Sequence, residues 1–224
     1  MVSVRLARDM DDETVVALVA AACEEAAHRL SRTVYLRIAE GSPHIAAVRR
    51  SGMLAYSLEF LFAPSSDVVA PLETPFRSAI GQDRHAIFRL YCRAVPGHVR
   101  RQEATTQQEW RAVLDSYECD HEFVVERDGA IVAWVGAGAR EARILIDGDH
   151  PDTIVGALDL IETKIGRHGI VVLGEYQIAE HRLASERGYT SLGTRLICAR
   201  RLAIRTTLKE AIAVSSVETV PLAQ

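Results

Sequence analysis

A short acidic stretch around Gly148 contains residue types that could carry out chemistry. It contains three carboxylates in close succession: Asp147, Asp149 and Asp152. Carboxylate oxygens are preferred ligands of hard cations such as Ca²⁺, but the bidentate glutamate at the twelfth position of an EF-hand loop is missing. Acids and proline are also typical of the first turn of a helix. Together with Pro151 and Thr153, the stretch predicts a helix N-terminus and no metal site.

Other nucleophilic and metal-binding motifs are sparse. Cys119 and His121 form half of a zinc ligand set, and no second pair is spaced to complete the four ligands. The sequence contains no Gly-x-Ser-x-Gly elbow. All four cysteines occur singly, which predicts reduced thiols rather than disulfides. We therefore expect no metal, and we expect Cys119 to lie in a loop.

The composition is that of an ordinary globular protein. The 224 residues are 48% hydrophobic and 25% charged, which suits one large domain or one and a half small ones. This composition excludes a disordered chain, a fibre and a disulfide-stabilised mini-protein. The net charge of -4 argues against a nucleic-acid partner. The longest apolar run, residues 15–23, is shorter than the roughly 20 residues of a membrane span, so we expect a soluble, cytoplasmic protein without a membrane partner.

The chain contains an internal repeat. Residues 33–63 and 169–199 each resemble a strand, a short helix, a glycine and a second strand. Gly52 and Gly188 occupy matching positions, where a helix ends and a positive φ is needed. The preceding segments, VRLARDMDDETVVALVAAA and ARILIDGDHPDTIVGALDL, match as a strand, an acidic turn and a helix. Chance similarity between two αβ units is the alternative.

The first copy is predicted to fold as β-α-β-α-β. Its strands are Val2–Ala7, Val34–Ile38 and Leu54–Phe62, and Pro43–Ser51 is a short helix. The long helix between the first two strands has an apolar stripe with helical spacing. The residues of this stripe are Val15, Leu18, Val19, Ala22, Ala26 and Leu30. Three prolines in residues 64–85 predict a linker after this unit.

The second copy is preceded by additional elements. Ala86–Arg93 is predicted as a strand and residues 96–117 as helical, with Thr106 and Glu109 spaced as a capping box. Asp128-Gly129 is a strong hairpin signal. The elements predicted after it are strands at 123–126, 131–135 and 142–146, a helix burying Ile154, Ala157, Leu158, Ile161 and Ile165, a strand at 170–174, a helix ending at Gly188, and a strand at 192–200.

The order and spacing of these elements resemble the GNAT superfamily of N-acetyltransferases. The residues that carry the resemblance are the Asp128-Gly129 hairpin, the strand RILID, the helix TIVGALDLIETKI and the ending LASERGYTSLGTRLICARRL. The resemblance implies a mixed α/β (α+β) fold with a central, mostly antiparallel sheet flanked by helices. Residues 86–203 would form a complete GNAT-like domain and residues 1–63 the C-terminal half of another, with a linker at 64–85 and a tail at 204–224. The chain is thus similar to a tandem GNAT protein with a half domain at its N-terminus.

The resemblance implies an acetyl-CoA site between two central strands. One wall would be the strand residues Ile144, Leu145 and Ile146, facing the strand that begins at Ile170. The pyrophosphate would lie at the start of the following helix. The residues implied there are Thr153, Ile154, Val155 and Gly156. The family signature Arg/Gln-x-x-Gly-x-Gly/Ala is missing from this stretch, and its three aspartates would repel a pyrophosphate.

The resemblance also requires a proton donor and a general base. The tyrosine that commonly protonates the leaving thiolate, four residues before the helix-ending glycine, is replaced by Ala184 and, in the first copy, by Val48. Glu175, at the end of a predicted strand, is the candidate general base, and Glu126 is the alternative. For both residues the competing interpretation is a solvated carboxylate at a strand end.

Two functions from different classes follow from this comparison. The first is transfer of an acetyl or acyl group from acyl-CoA to a small amine, because positioning alone supplies much of the rate. The second is a non-catalytic GNAT-fold module, a pseudoenzyme that binds a ligand or a protein. Half a sheet would expose a strand edge, so we expect it to pack on the second copy, on another chain as a homodimer, or on a missing segment. A third alternative is a truncated tandem enzyme, since Met1 falls just before a predicted strand.

Overall fold

Helices and strands alternate in residues 12–63 and 141–201, whereas residues 84–146 form three helices followed by three strands. The computed structural model describes residues 10–64, 74–117, 119–165 and 169–203. The helices are α1 (Asp12–His28), α2 (Ile45–Arg50), α3 (Arg84–Ala94), α4 (Gly97–Glu103), α5 (Gln107–Asp115), α6 (Thr153–Ile165) and α7 (Ile178–Glu186). The strands are β1 (Thr33–Ala39), β2 (Leu54–Ala63), β3 (Arg77–Ser78), β4 (His121–Arg127), β5 (Ala130–Ala137), β6 (Glu141–Ile146), β7 (Ile170–Gly174) and β8 (Thr190–Arg201).

The strands form one sheet in the order β1-β8-β2-β7-β6-β5-β4-β3. Its neighbouring strands are antiparallel except β6 and β7, which run parallel. Successive residues of a strand face opposite sides, and on β4 Val125 packs with the helix α6 residue Leu158 while Val124 packs with Trp110 of α5. Helices α6 and α7 therefore cover one face of the sheet, and α3 to α5 cover the other. This confirms the predicted mixed α/β fold with a mostly antiparallel sheet flanked by helices.

The two copies of the repeat share the sheet by exchanging their last strands. Strand β8 of the second copy lies between β1 and β2 of the first, and β2 lies between β8 and β7. Gly52 and Gly188 follow their helices with φ of +80° and +75°, as their matching positions predict. Of the three packing arrangements expected for the first copy, the structure has the one on the second copy. The division at residues 63, 85 and 203 stays a prediction.

Several short-range signals are confirmed. Thr106 Oγ1 accepts a hydrogen bond from Glu109 N at 3.2 Å, and the Glu109 carboxylate accepts one from Thr106 N at 3.2 Å. Asp128 and Gly129 have φ of +51° and +73° between β4 and β5, the backbone of a type I′ hairpin. Four of the five residues predicted to be buried in α6 are buried: Ile154, Ala157, Leu158 and Ile161. The side chain of the fifth, Ile165, lies outside the described part.

One predicted element is wrong. Ala86–Arg93 belongs to helix α3, where Ile87, Leu90 and Tyr91 are buried with helical spacing. Ile87 and the two aromatic residues of this segment favour a strand, but its buried side chains recur with the spacing of a helix rather than at every second residue. Residues 77–78, inside the predicted linker, form β3. The predicted strand Val2–Ala7 and the tail after residue 203 lie outside the described residues.

The α1 stripe differs from the prediction at its C-terminal end. Leu30 is 71% exposed, because α1 ends at His28 and Leu30 itself has a φ of +59°. Cys23, which was not in the predicted stripe, is buried instead. All four cysteines are free thiols, as predicted. None of the helices in the described ranges combines the length and the apolar character needed to cross a membrane.

Candidate functional site

Strands β6 and β7 separate at the place where the resemblance puts the cofactor. They pair only between Glu141–Arg143 and Ile170–Val172. Beyond Arg143, β6 continues through Ile144, Leu145 and Ile146, which pair with β5 alone. These three predicted residues are buried. One side of β6 therefore borders a gap where neighbouring backbone groups lack strand partners.

The side chain of Gln177 spans this gap. Its amide nitrogen donates to the carbonyl oxygen of Ile144 at 3.1 Å, and its Oε1 accepts from Gly174 N at 2.8 Å. Gln177 is 7% exposed and also donates to Glu180 Oε1 at 3.4 Å. Buried backbone groups require hydrogen-bond partners. The Gln177 side chain therefore supplies the hydrogen bonds that a neighbouring strand would make elsewhere in the sheet.

The loop before α6 is acidic and paired with arginines. Asp147 Oδ2 lies 2.7 Å from Arg93 Nε, and Asp152 Oδ2 lies 2.6 Å from Arg127 Nη2. With Asp149 the loop has three carboxylates against two guanidinium groups, so its net charge is negative. In the described ranges, no group of three or more His, Cys, Asp or Glu side chains is placed to hold a metal ion.

The predicted pyrophosphate residues at the start of α6 are mostly enclosed. Thr153 and Ile154 are buried, whereas Val155 is 45% exposed. Thr153 N and Thr153 Oγ1 both donate to the carbonyl of His150, at 3.1 and 2.8 Å. A Cβ built on Gly156 would lie 3.5 Å from Pro75, so this glycine is covered rather than open to a ligand. The first turn of α6 therefore offers few free N–H donors.

These residues do not fit acetyl-CoA. A diphosphate at the start of α6 would lie beside the aspartates of a net-negative loop, with no paired glycines to bring backbone N–H groups close. The rest of the cofactor would need the gap between β6 and β7, where Gln177 already bonds both strands. Binding of acetyl-CoA would therefore require Gln177 to leave both strands.

A cavity of about 40 Å³ lies between this gap and helices α3 to α5. Val95, Val99 and Leu145 contribute apolar wall, and both tryptophans of the chain, Trp110 and Trp134, line it as well. By the space that one water needs, the cavity holds roughly three water-sized groups.

Two glycines make room for aromatic rings in the cavity wall. A Cβ on Gly174 would lie 2.6 Å from the ring of Tyr176, and a Cβ on Gly136 would lie 2.4 Å from the ring of Trp134. Both distances are far below a van der Waals contact, so each ring packs directly against glycine backbone. The positions of Tyr176 and Trp134 therefore depend on these two glycines.

Glu103, the last residue of α4, brings a carboxylate to this cavity. It accepts hydrogen bonds from the hydroxyls of Tyr56, at 3.1 Å, and Tyr91, at 3.3 Å. Burial raises the pKa of Glu103 above its usual range, although the hydrogen bond from Tyr56 opposes the shift. Its helix is held in place by Tyr35, whose hydroxyl donates to the backbone carbonyl of Glu103 at 2.8 Å.

A buried ionic network closes the sheet side of the cavity. Glu59 on β2 pairs with Arg143 of β6 at 2.6 Å, Arg195 of β8 at 2.9 Å and Arg37 of β1 at 3.3 Å. Burial alone would raise the pKa of Glu59, but the three arginines outweigh it and lower this pKa to about 2. Arg195 also pairs with Glu141 at 2.9 Å. Ion pairs therefore connect strands from both copies of the repeat.

Two buried donors in the cavity wall have no hydrogen-bond partner in the described part of the chain: Trp110 Nε1 and Arg143 Nε. Trp110 is 3% exposed and stacks on Tyr91, with ring centroids 3.9 Å apart. The guanidinium carbon of Arg143 lies 4.0 Å from the ring centre of Tyr117. Buried donors are rarely left unpaired, so these two mark a place for an acceptor.

The general-base candidates lie elsewhere. Glu175 is exposed and accepts from Ser57 Oγ at 3.0 Å and from Leu58 N at 3.4 Å. Glu126, beside the β4–β5 hairpin, is exposed and lies 2.8 Å from Arg77. Neither residue lines the cavity. Sequence reasoning missed Glu103, because its tyrosine partner Tyr56 comes from a strand far away in the chain and no local pattern links the two.

No family model matches the chain, and no curated protein matches it in sequence. Several solved structures share its fold. A functionally unknown conserved protein from Staphylococcus epidermidis has a TM-score of 0.57 at 9% identity, covering 86% of this chain and 82% of that one. A GCN5-related N-acetyltransferase from Kribbella flavida has a TM-score of 0.50 at 15% identity, covering 87% and 78%. Another, from Sphaerobacter thermophilus, has a TM-score of 0.50 at 16% identity, covering 86% and 70%. The chain therefore has the fold of the GNAT acetyltransferases.

Proposed function

We propose that this protein is a non-catalytic GNAT-fold binding module that takes a small molecule into the cavity lined by Glu103 and Trp110, and that it does not use acetyl-CoA. The bridge made by Gln177 carries this proposal. A side chain that bonds both Ile144 and Gly174 occupies the space between diverging strands that an extended cofactor would need.

The start of α6 supports the same conclusion. Helix N-termini bind phosphates through free N–H groups and the helix dipole. Here Thr153 N is not free, because it already donates to the carbonyl of His150. The net negative charge of the neighbouring loop also opposes the binding of an anion. An anionic cofactor would have to break the Asp147–Arg93 and Asp152–Arg127 pairs to gain positive partners.

The cavity supports a binding role. Ligand sites are typically apolar clefts with a few placed polar groups and perturbed pKa values. Glu103, Trp110 and Arg143 supply such groups inside an aromatic and aliphatic wall. The cavity is too small for a whole cofactor and suits the head group of a small molecule.

Calorimetric titration of the full chain with acetyl-CoA tests the proposal, with desulfo-CoA as the comparison ligand. We expect no saturable heat from either ligand at millimolar concentration. Circular dichroism of the same sample serves as the control that the protein is folded. Saturable binding in the micromolar range would contradict the proposal.

Acyl transfer to a small amine is the second candidate function. The separation of β6 from β7 beyond Arg143 favours it, and so does a carboxylate with a raised pKa beside the gap. This candidate requires acetyl-CoA to displace Gln177 from Ile144 and Gly174, and Glu103 is the carboxylate that would then accept a proton from the amine. An assay of acetyl-CoA turnover with a panel of amines tests this candidate. Turnover by the unaltered protein that is lost in Glu103→Gln would support acyl transfer over binding alone.

A further inference from the structure

We propose that the cavity binds a small neutral carboxamide, whose carbonyl oxygen accepts hydrogen bonds from Trp110 and Arg143 and whose NH₂ group donates to Glu103. The inference rests on the proposed binding function and names its ligand class.

The unpaired donors require an acceptor. Trp110 Nε1 and Arg143 Nε are buried in the cavity wall without a partner among the described residues. Leaving a buried donor unpaired costs its full desolvation free energy. A carbonyl oxygen has two lone pairs, one for each donor. Tyr117 contacts both side chains, since its ring lies against Arg143 and edge-on to Trp110, so the two donors belong to one region of the cavity.

Glu103 can accept a further hydrogen bond in the same region. Tyr91 donates to Glu103 and also stacks on Trp110, which places the carboxylate close to the indole. An ionised carboxylate has about four acceptor sites, and two are taken by Tyr56 and Tyr91. An amide N–H fits a remaining site. The arrangement thus offers donors and an acceptor side by side, as an amide group needs.

The charge of the surroundings favours a neutral ligand. Three ionic side chains line the cavity: Glu59, Glu103 and Arg143. Arg37, Arg195 and Glu141 complete the network around Glu59, which then holds three groups of each sign. A carboxylate or ammonium ligand would add an uncompensated charge to this buried network. The cavity has room for roughly three water-sized groups, which matches the three heavy atoms of a carboxamide group, and the alkyl part of a longer amide would lie at its opening.

Three ligands of nearly equal size separate the alternatives: propionamide, propionate and propylammonium. Both tryptophans of the chain line the cavity, so tryptophan fluorescence of the full protein reports binding directly. At pH 7 we expect propionamide to give a saturable change with a Kd on the order of 1 mM. We expect propionate and propylammonium to bind at least about tenfold more weakly. Equal or tighter binding of either ion would overturn the inference, as would the absence of a saturable change with propionamide.

A pair of variants tests the role of the indole N–H. Trp110→Phe keeps an aromatic ring but removes the donor, and we expect propionamide binding to weaken about fivefold or more by ligand-observed NMR. The matched control is Tyr189→Phe, which removes a buried hydroxyl bonded to Glu162, away from the cavity wall. Unchanged affinity of Trp110→Phe for propionamide would refute the role of the indole N–H. If this variant does not fold, the comparison of the three ligands on the unaltered protein decides whether the cavity binds a neutral amide.

Acetyl-CoA in the same fluorescence assay separates the two proposals. Saturable binding of acetyl-CoA would contradict the proposed function. Failure of propionamide without any acetyl-CoA binding would overturn the ligand class alone.

Discussion

Replacing Glu59 by glutamine removes the charge at the centre of the ionic network. Glu59 is 2% exposed, and its carboxylate is shared by Arg37, Arg143 and Arg195 from three other strands. The Glu59→Gln variant keeps the size and much of the hydrogen-bonding capacity of the side chain. The change in the free energy of unfolding therefore reports the value of the negative charge.

The lowered pKa of Glu59 gives the expected magnitude. The arginines lower this pKa from 4.5 to about 2, and each pKa unit corresponds to about 1.4 kcal/mol. The charged form of Glu59 therefore stabilises the fold by about 3 kcal/mol relative to the neutral form. Removing one member of a buried ion pair typically costs a similar amount, about 3–5 kcal/mol. We expect Glu59→Gln to lower the free energy of unfolding by about 3 kcal/mol at pH 7.

The same shift predicts the pH dependence. Because the pKa of Glu59 is lower in the folded than in the unfolded chain, its contribution is complete above about pH 4.5 and is lost as the pH falls towards about 2. The difference in unfolding free energy between the unaltered protein and Glu59→Gln must therefore shrink over this range.

Urea denaturation followed by circular dichroism at pH 7 and pH 3 measures both effects. The matched control is Glu186→Gln, an exposed glutamate 3.7 Å from Arg182 on α7, for which we expect a loss below about 1 kcal/mol. A loss below about 1 kcal/mol for Glu59→Gln at pH 7 would refute the reasoning. A difference that stays constant between pH 7 and pH 3 would refute it as well.

Three further substitutions test local features by urea denaturation. Gly188→Ala places a side chain at a φ of +75° and should cost about 1–2 kcal/mol, whereas Gly148→Ala, in open space without a positive φ, should be near neutral; equal effects would contradict the conformational argument. Thr106→Ala removes the N-cap of α5 and should cost about 1 kcal/mol, so an unchanged stability would exclude a capping role. Tyr189→Phe removes a 2.6 Å hydrogen bond to Glu162 and should cost about 1.5–3 kcal/mol; a smaller loss would show that this carboxylate keeps its partners through Arg187.

The sequence predicted those elements whose signals lie close together in the chain. The capping box of α5, the Asp128-Gly129 hairpin and the buried stripe of α6 each depend on residues a few positions apart. The prediction for segment 86–93 is wrong because Ile87, Phe88 and Tyr91 favour strands, while burial against β5 and β6 stabilises the segment as helix α3.

The long-range features could not be predicted. The insertion of β8 between β1 and β2 depends on pairing between distant segments, which leaves no local pattern. The cavity depends on the same pairing, because Glu103 of α4 meets Tyr56 of β2 only once the strands are exchanged. Gln177 was equally hidden, since its role follows from the separation of β6 and β7 rather than from its neighbours in sequence.

A crystal structure of the full chain grown with a large excess of acetyl-CoA tests the central claim most directly. We predict that the Gln177 side chain still bridges Ile144 and Gly174, with no cofactor between β6 and β7. A cofactor arm lying between these strands, with Gln177 displaced from both, would contradict the account.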